Sequence, residues 1–167
     1  MEGPNIYIPF LAALIPLAIG AFYYSPMLFQ NSWMSASGMT EEKMKTGNMA
    51  LIFALTYIFS LLIAGFMTSF SIHQSNIPAL FVGVEKYGIS EVDAKAFIES
   101  FQTNYGHLHR TFSHGATHGG VAAIFFALPL IAINALFERK SWKYILIHTG
   151  YWFISLALMG GLICAYF

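Results

Sequence analysis

The chain reads as an all-α integral membrane protein: a bundle of four transmembrane helices with a short extramembrane helix in the central loop. Three observations predict this. Four apolar stretches, residues 6–24, 49–70, 112–137 and 142–167, take up most of the 167 residues. Each has about the 20 residues needed to cross a hydrocarbon layer of about 30 Å. None has a formally charged residue at its centre, and the chain as a whole is 57% hydrophobic and only 10% charged, with a mean hydropathy of +0.61. A soluble domain, about 25% charged on average, could not hide that much apolar surface, so lipid must cover part of it.

Segment one carries Pro9 and Pro16, with Gly20 following, and proline inside a helix predicts a kink. Its run is of spanning length and is preceded by Glu2, where a cleaved signal peptide has a positive region, so a retained helix is expected. Tyr23, Tyr24 and the later Trp33 suit the headgroup level. Loop one closes with Thr40-Glu41-Glu42-Lys43-Met44-Lys45, an N-cap, an acidic first turn and later lysines, which predict a short surface helix. Segment two then opens at Asn48.

The central stretch, residues 71–111, contains Ser90-Glu91-Val92-Asp93, a start resembling a capping box. Ala94, Phe97, Ile98 and Phe101 follow on one helical face, predicting a short helix over about 90–103. Its acidity (Glu91, Asp93, Glu99) points to packing over the bundle mouth, because helices lying on a membrane surface tend to be basic.

Segment three has a small-residue ladder, Gly115, Gly119, Ala123 and Ala127, which lets helix backbones approach closely in lipid. Segment two has a weaker one (Ser60, Ala64, Thr68), and segment four offers Ala157 and Gly161. Pro129 predicts a kink that releases the carbonyl of Phe125. The very short turn 137–141 makes segments three and four an antiparallel hairpin. The whole chain, 1–167, is expected to be one transmembrane domain.

With four spans, both termini and the central loop share a side that holds Lys86, Lys95 and Arg110. The other side holds Lys43, Lys45, Arg139, Lys140 and Lys143 in shorter loops nearer the span ends, so the termini and the central loop are expected outside. Net charge is zero, with no basic patch to neutralise phosphates, so nucleic acid is not an expected partner. The single cysteine, Cys164, excludes an internal disulfide and a CxxC metal motif. P-loop, GxGxxG and GxSxG motifs are absent, which leans against an enzyme.

Two groups of residues are candidates for chemistry. Four of the six histidines, His107, His109, His114 and His118, fall within twelve residues. His114 and His118 are four apart, so on a helix they share a face and could chelate a transition metal such as zinc, copper or iron. Gly-Ala-Thr stands between them where zinc proteases carry a catalytic glutamate. Haem held between His118 and His148 is excluded, because their depths differ by roughly 20 Å at the rise of a helix. The second group is polar and within the membrane: His148, Asn134, Tyr23, Tyr24 and Asn48 lie at similar depth near the inner side. Such residues either pin helices in register or line a small-molecule pocket.

The motifs Phe22-Tyr-Tyr-Ser-Pro-Met-Leu-Phe29, Trp33, Gly38-Met-Thr-Glu-Glu42, Gly47-Asn48, Ile133-Asn-Ala-Leu-Phe-Glu-Arg139 and the stretch from His148 through Gly150-Tyr151 to Leu158-Met-Gly160 together resemble the DUF1761 family of small bacterial membrane proteins. The resemblance implies four spans and a bacterial inner-membrane setting. It implies no reaction and no site residues. The region 71–118 departs from the family pattern, so its histidines are not inherited from it.

Three functions are compatible with these features. The first is a non-enzymatic accessory or assembly partner, offering small-residue faces to other membrane subunits or to itself. The second is a metal- or haem-binding membrane protein using His107–His118. The third is a small oligomeric transporter or channel with a path past His148 and Asn134.

Overall fold

The computed structural model describes residues 4–167, so Glu2 lies outside the described residues. The fold is all-α, with no strand among the described residues. Three helical stretches are long and apolar enough to cross a membrane: Met49–Ser71, Phe112–Phe137 and Trp142–Tyr166.

The first apolar segment is two helices, α1 (Tyr7–Ala12) and α2 (Ile15–Tyr23), instead of one kinked helix. Pro16 has no N–H to offer the preceding turn, and Leu14 N–H bonds back only three residues, to Leu11, so the chain steps at Ala13–Leu14. Next come α3 (Gln30–Ser37), stopped by Gly38 at φ +75°, and α4 (Glu41–Lys45), whose cap Thr40 accepts from Lys43 N–H at 3.3 Å. Helix α5 (Met49–Ser71) follows, capped by Asn48, which accepts from Leu51 N–H at 3.1 Å.

The central stretch folds back on itself. A tight 3-10 turn (His73–Asn76) leads to α6 (Ile77–Leu80), a second 3-10 turn (Val84–Tyr87) and then α7 (Glu91–Tyr105), capped by Ser90. The apolar face of α7 packs on that preceding stretch: Phe97 lies 5.3 Å from Phe81, ring to ring, and both Ala94 and Val84 are buried. Two bonds hold this layer to the 3-10 turn that follows α5, from Gln102 Nε2 to Gln74 O and from Gln74 Nε2 to Leu108 O.

Helix α8 (Phe112–Ala122) passes through a π turn (Ala123–Ala127) into α9 (Leu128–Phe137), and α10 (Trp142–Tyr166) returns. The expected break at Pro129 is taken up one turn early. Leu128 N–H bonds Ala123 O, five residues back, so the extra residue re-aims the helix before proline is reached. The hairpin closes with Arg139 in the left-handed region, φ +56°, while Lys140 N–H bonds Ala135 O and Arg139 N–H bonds Leu136 O.

Helix α10 is the axis of the molecule. Its apolar window is 44% buried against 11% for that of α5, and α1, α2, α5 and α8 all pack on it. The closest contact is with α8. A Cβ on Gly115 would collide with Gly160 O, and one on Gly119 with Leu156 O, so the two backbones touch. Of the other small residues, Ala123 is fully buried, Ala127 packs beside the core and Gly161 lies under the ring of Phe112. The main core gathers Met67, Ile72, Met159 and Ile163, and a second cluster joins Tyr23, Ile147 and Tyr151.

Candidate functional site

Two polar constellations lie at opposite ends of α10. At one end the chain segments entering and leaving the long helices are tied together. The Cys164 thiol, with one proton to share, lies 3.4 Å from both Ser71 O and His109 O, and Arg110 Nε donates to Cys164 O at 2.8 Å. Arg110 thereby complements the free carbonyls near the C-terminal end of α10. This knot fixes the end of α5 beside the start of α8, whose cap Thr111 accepts from His114 N–H.

On that frame His73, two residues past α5, meets His114 and His118 on one face of α8. The ring centroids of His73 and His118 are 4.7 Å apart, those of His114 and His118 4.6 Å, and those of His73 and His114 5.3 Å. One nitrogen from each of the three lies within 4.8 Å of the others. His118 also meets the edge of Phe70, and His114 Nε2 is buried with no hydrogen-bond partner among the described residues. Zinc held at about 2.0–2.1 Å from each nitrogen in tetrahedral geometry spaces its ligands by about 3.3 Å. Side-chain rotation closes a gap of that size. An all-imidazole set suits zinc, copper, iron or nickel, and three ligands leave a fourth position open. No carboxylate joins the group among the described residues, so its donor atoms are imidazole nitrogens alone.

The four histidines singled out from sequence therefore separate. His114 and His118 stand together and His109 stacks on His114 at 5.2 Å, whereas His107 is exposed and makes no ring contact with the group among the described residues. His73 is the residue that sequence reasoning missed. Its signal was topological: the end of segment two and the start of segment three must emerge on the same side.

At the other end Tyr24 and His148 share a hydrogen bond, Oη to Nδ1, at 3.0 Å. Tyr24 also lies 5.3 Å from Tyr151 and 5.5 Å from Trp33, ring to ring. Tyr151, not anticipated, donates its hydroxyl to Pro16 O at 3.0 Å, which ties α10 to the stepped first segment. Tyr23 stacks on Phe29 and sets its hydroxyl over Gly150. Asn134 shares a cavity of about 260 Å³ with His148, together with Glu138 and Tyr144. Asn48 is exposed and serves as the cap of α5, so it stands outside this group.

A family model described as "Protein of unknown function (DUF1761)" matches residues 9–164, and the chain belongs to that family. No curated protein and no solved structure matches the chain.

Proposed function

We propose that this DUF1761 protein is a four-span membrane protein that binds a transition-metal ion at one mouth of its bundle through His73, His114 and His118. The observation that supports this is convergence: two chain segments far apart in sequence bring three imidazole nitrogens within 4.8 Å of one another. Neutral nitrogen donors without carboxylates favour zinc or copper over magnesium or calcium, which take oxygen ligands.

Three crossings are the long apolar helices. The fourth is the stepped segment Tyr7–Tyr23, whose length as helix is about 25 Å, extended to bilayer thickness by the aromatic side chains at its end. Lys140 Nζ bonds Ser37 O at 2.9 Å, which supports setting the hairpin and loop one on the same side, where four crossings would also put Lys43, Lys45, Arg139 and Lys143. The positive-inside bias makes that end cytoplasmic. The histidines then face the outer side of a bacterial inner membrane. Metal binding is favoured over a purely assembling role because the small-residue ladder of α8 already lies against α10 within the chain.

Elemental analysis after loading the purified protein with zinc checks this. We expect about one ion per chain, with His73→Ala and His114→Ala each weakening binding at least about tenfold, the cost of losing one of three ligands. His107→Ala should leave binding unchanged. Stoichiometric zinc retained in the His73→Ala, His114→Ala double variant would overturn the reading.

A further inference from the structure

A groove runs along the seam between α9 and α10, on the side facing α5. One part is a cavity of about 450 Å³ walled by apolar side chains, among them Leu62, Phe66, Leu130 and Leu156. The polar cavity with Asn134, Glu138, Tyr144 and His148 continues it, and Ile131 and Trp152 belong to both. The lining residues recur every three or four positions on each helix, so one row of α9 and one row of α10 face the same space. The gap has a cause in the chain. Above the π turn, α8 rides on α10 through glycine. Below it, α9 carries leucine and isoleucine, and Leu130 and Ile131 face Leu62 and Phe66 of α5 across the cavity.

The groove has a direction. It is apolar in the middle of the molecule and polar at the hairpin. From Ala122 to Ile131, the ends of the apolar lining on this side, the helix rises about 14 Å, close to half of a hydrocarbon layer of about 30 Å. A molecule fitting it has a tail one leaflet long and a head at the hairpin. The head chemistry follows from the lining. Glu138 is the one charged group among the residues lining the polar part, the ring of Tyr144 is close by, and His148 Nε2 is buried without a partner among the described residues. The Glu138 carboxylate attracts an ammonium, while Lys140, whose Nζ lies 5.9 Å from the centroid of the Tyr144 ring, is at hand for the phosphate that the same head carries.

We propose that the groove holds one acyl chain of a phospholipid with a primary-amine head, the chain beside Leu130 and Trp152, the amine at Glu138 and the phosphate toward Lys140. This rests on the membrane-spanning reading and is independent of His73, His114 and His118, which lie at the other end.

The test extracts the protein mildly from vesicles containing equal parts of ethanolamine-headed and glycerol-headed phospholipid with identical chains, and reads retained lipid by native mass spectrometry. The expected result is retention of the ethanolamine lipid over the glycerol lipid by about threefold, the size of one partly exposed ion pair. Glu138→Gln should erase that preference, and Leu130→Trp, which fills the apolar part, should lower retention of both. In the unaltered protein, an ethanolamine lipid with a photoreactive group near the chain end should label residues 123–131. Equal retention of the two lipids, or labelling confined to the outward face of α5, overturns the proposal. Recovery of the protein in the soluble fraction would instead overturn the spanning reading beneath it.

Discussion

Tyr24 and His148 show how much one polar contact can do where water is scarce. Their hydrogen bond joins the end of the first apolar segment to the second turn of α10, across 124 residues of chain. Tyr24→Phe keeps the ring packed against Tyr151 and Trp33 and removes only the hydroxyl. The expected loss is about 1 kcal/mol of stability, read from denaturant unfolding in detergent micelles. An unchanged midpoint would mean that the pair contributes nothing beyond ring packing. Single residues also mark where sequence reasoning stops. The four-residue spacing of His114 and His118 needs no knowledge of the fold to be seen. His73 stands far upstream in a stretch of Ser, Gln and Asn with no metal-motif spacing, and it reaches the other two because the whole central stretch returns to its starting point.

At the level of helices, the sign of a substitution separates contact faces from lipid faces. Glycine to alanine inside a helix ordinarily gains up to about 1 kcal/mol. At Gly119 the new methyl meets the backbone of Leu156, which cannot swing away, so Gly119→Ala should destabilise by about 2 kcal/mol as the helices separate. Gly65 on α5 has nothing within 4 Å of its added carbon, so Gly65→Ala should be neutral or stabilising. Paired unfolding curves for the two variants check this, and equal effects would refute close packing of α8 on α10. The helices also show which sequence rules carry furthest. The caps Thr40, Asn48 and Ser90 act where their side chains stand beside helix starts, because capping is a local matter of one oxygen and one N–H. Proline positions said that the first and third segments would deviate. Whether proline makes a step, as at Ala13–Leu14, or a π turn, as at Ala123–Ala127, depends on neighbours that sequence does not display.

For the whole molecule, charge and apolar length make a statement about crossings. A reporter enzyme active only outside the cytoplasm should be active when fused ahead of residue 6 or within 84–88. It should be silent when fused after Lys45 or Arg139. Activity at Lys45 together with activity ahead of residue 6 would show that the stepped segment does not cross. The class of fold was legible because hydropathy is additive along the chain, and the first segment shows the limit of that. Residues 6–24 satisfy an apolar count, yet the unbroken run of helix they supply is shorter than in the other three segments.

The thiol of Cys164 has one more implication, for the order in which the protein matures. The carbonyls that it secures belong to Ser71, 93 residues earlier, and His109, 55 residues earlier. A ribosome therefore delivers all three imidazoles well before it delivers the group that holds their supporting segments in place. On the proposed metal-binding reading, capture waits for α10, and a nascent chain halted ahead of it would carry every ligand without the thiol that ties their segments together.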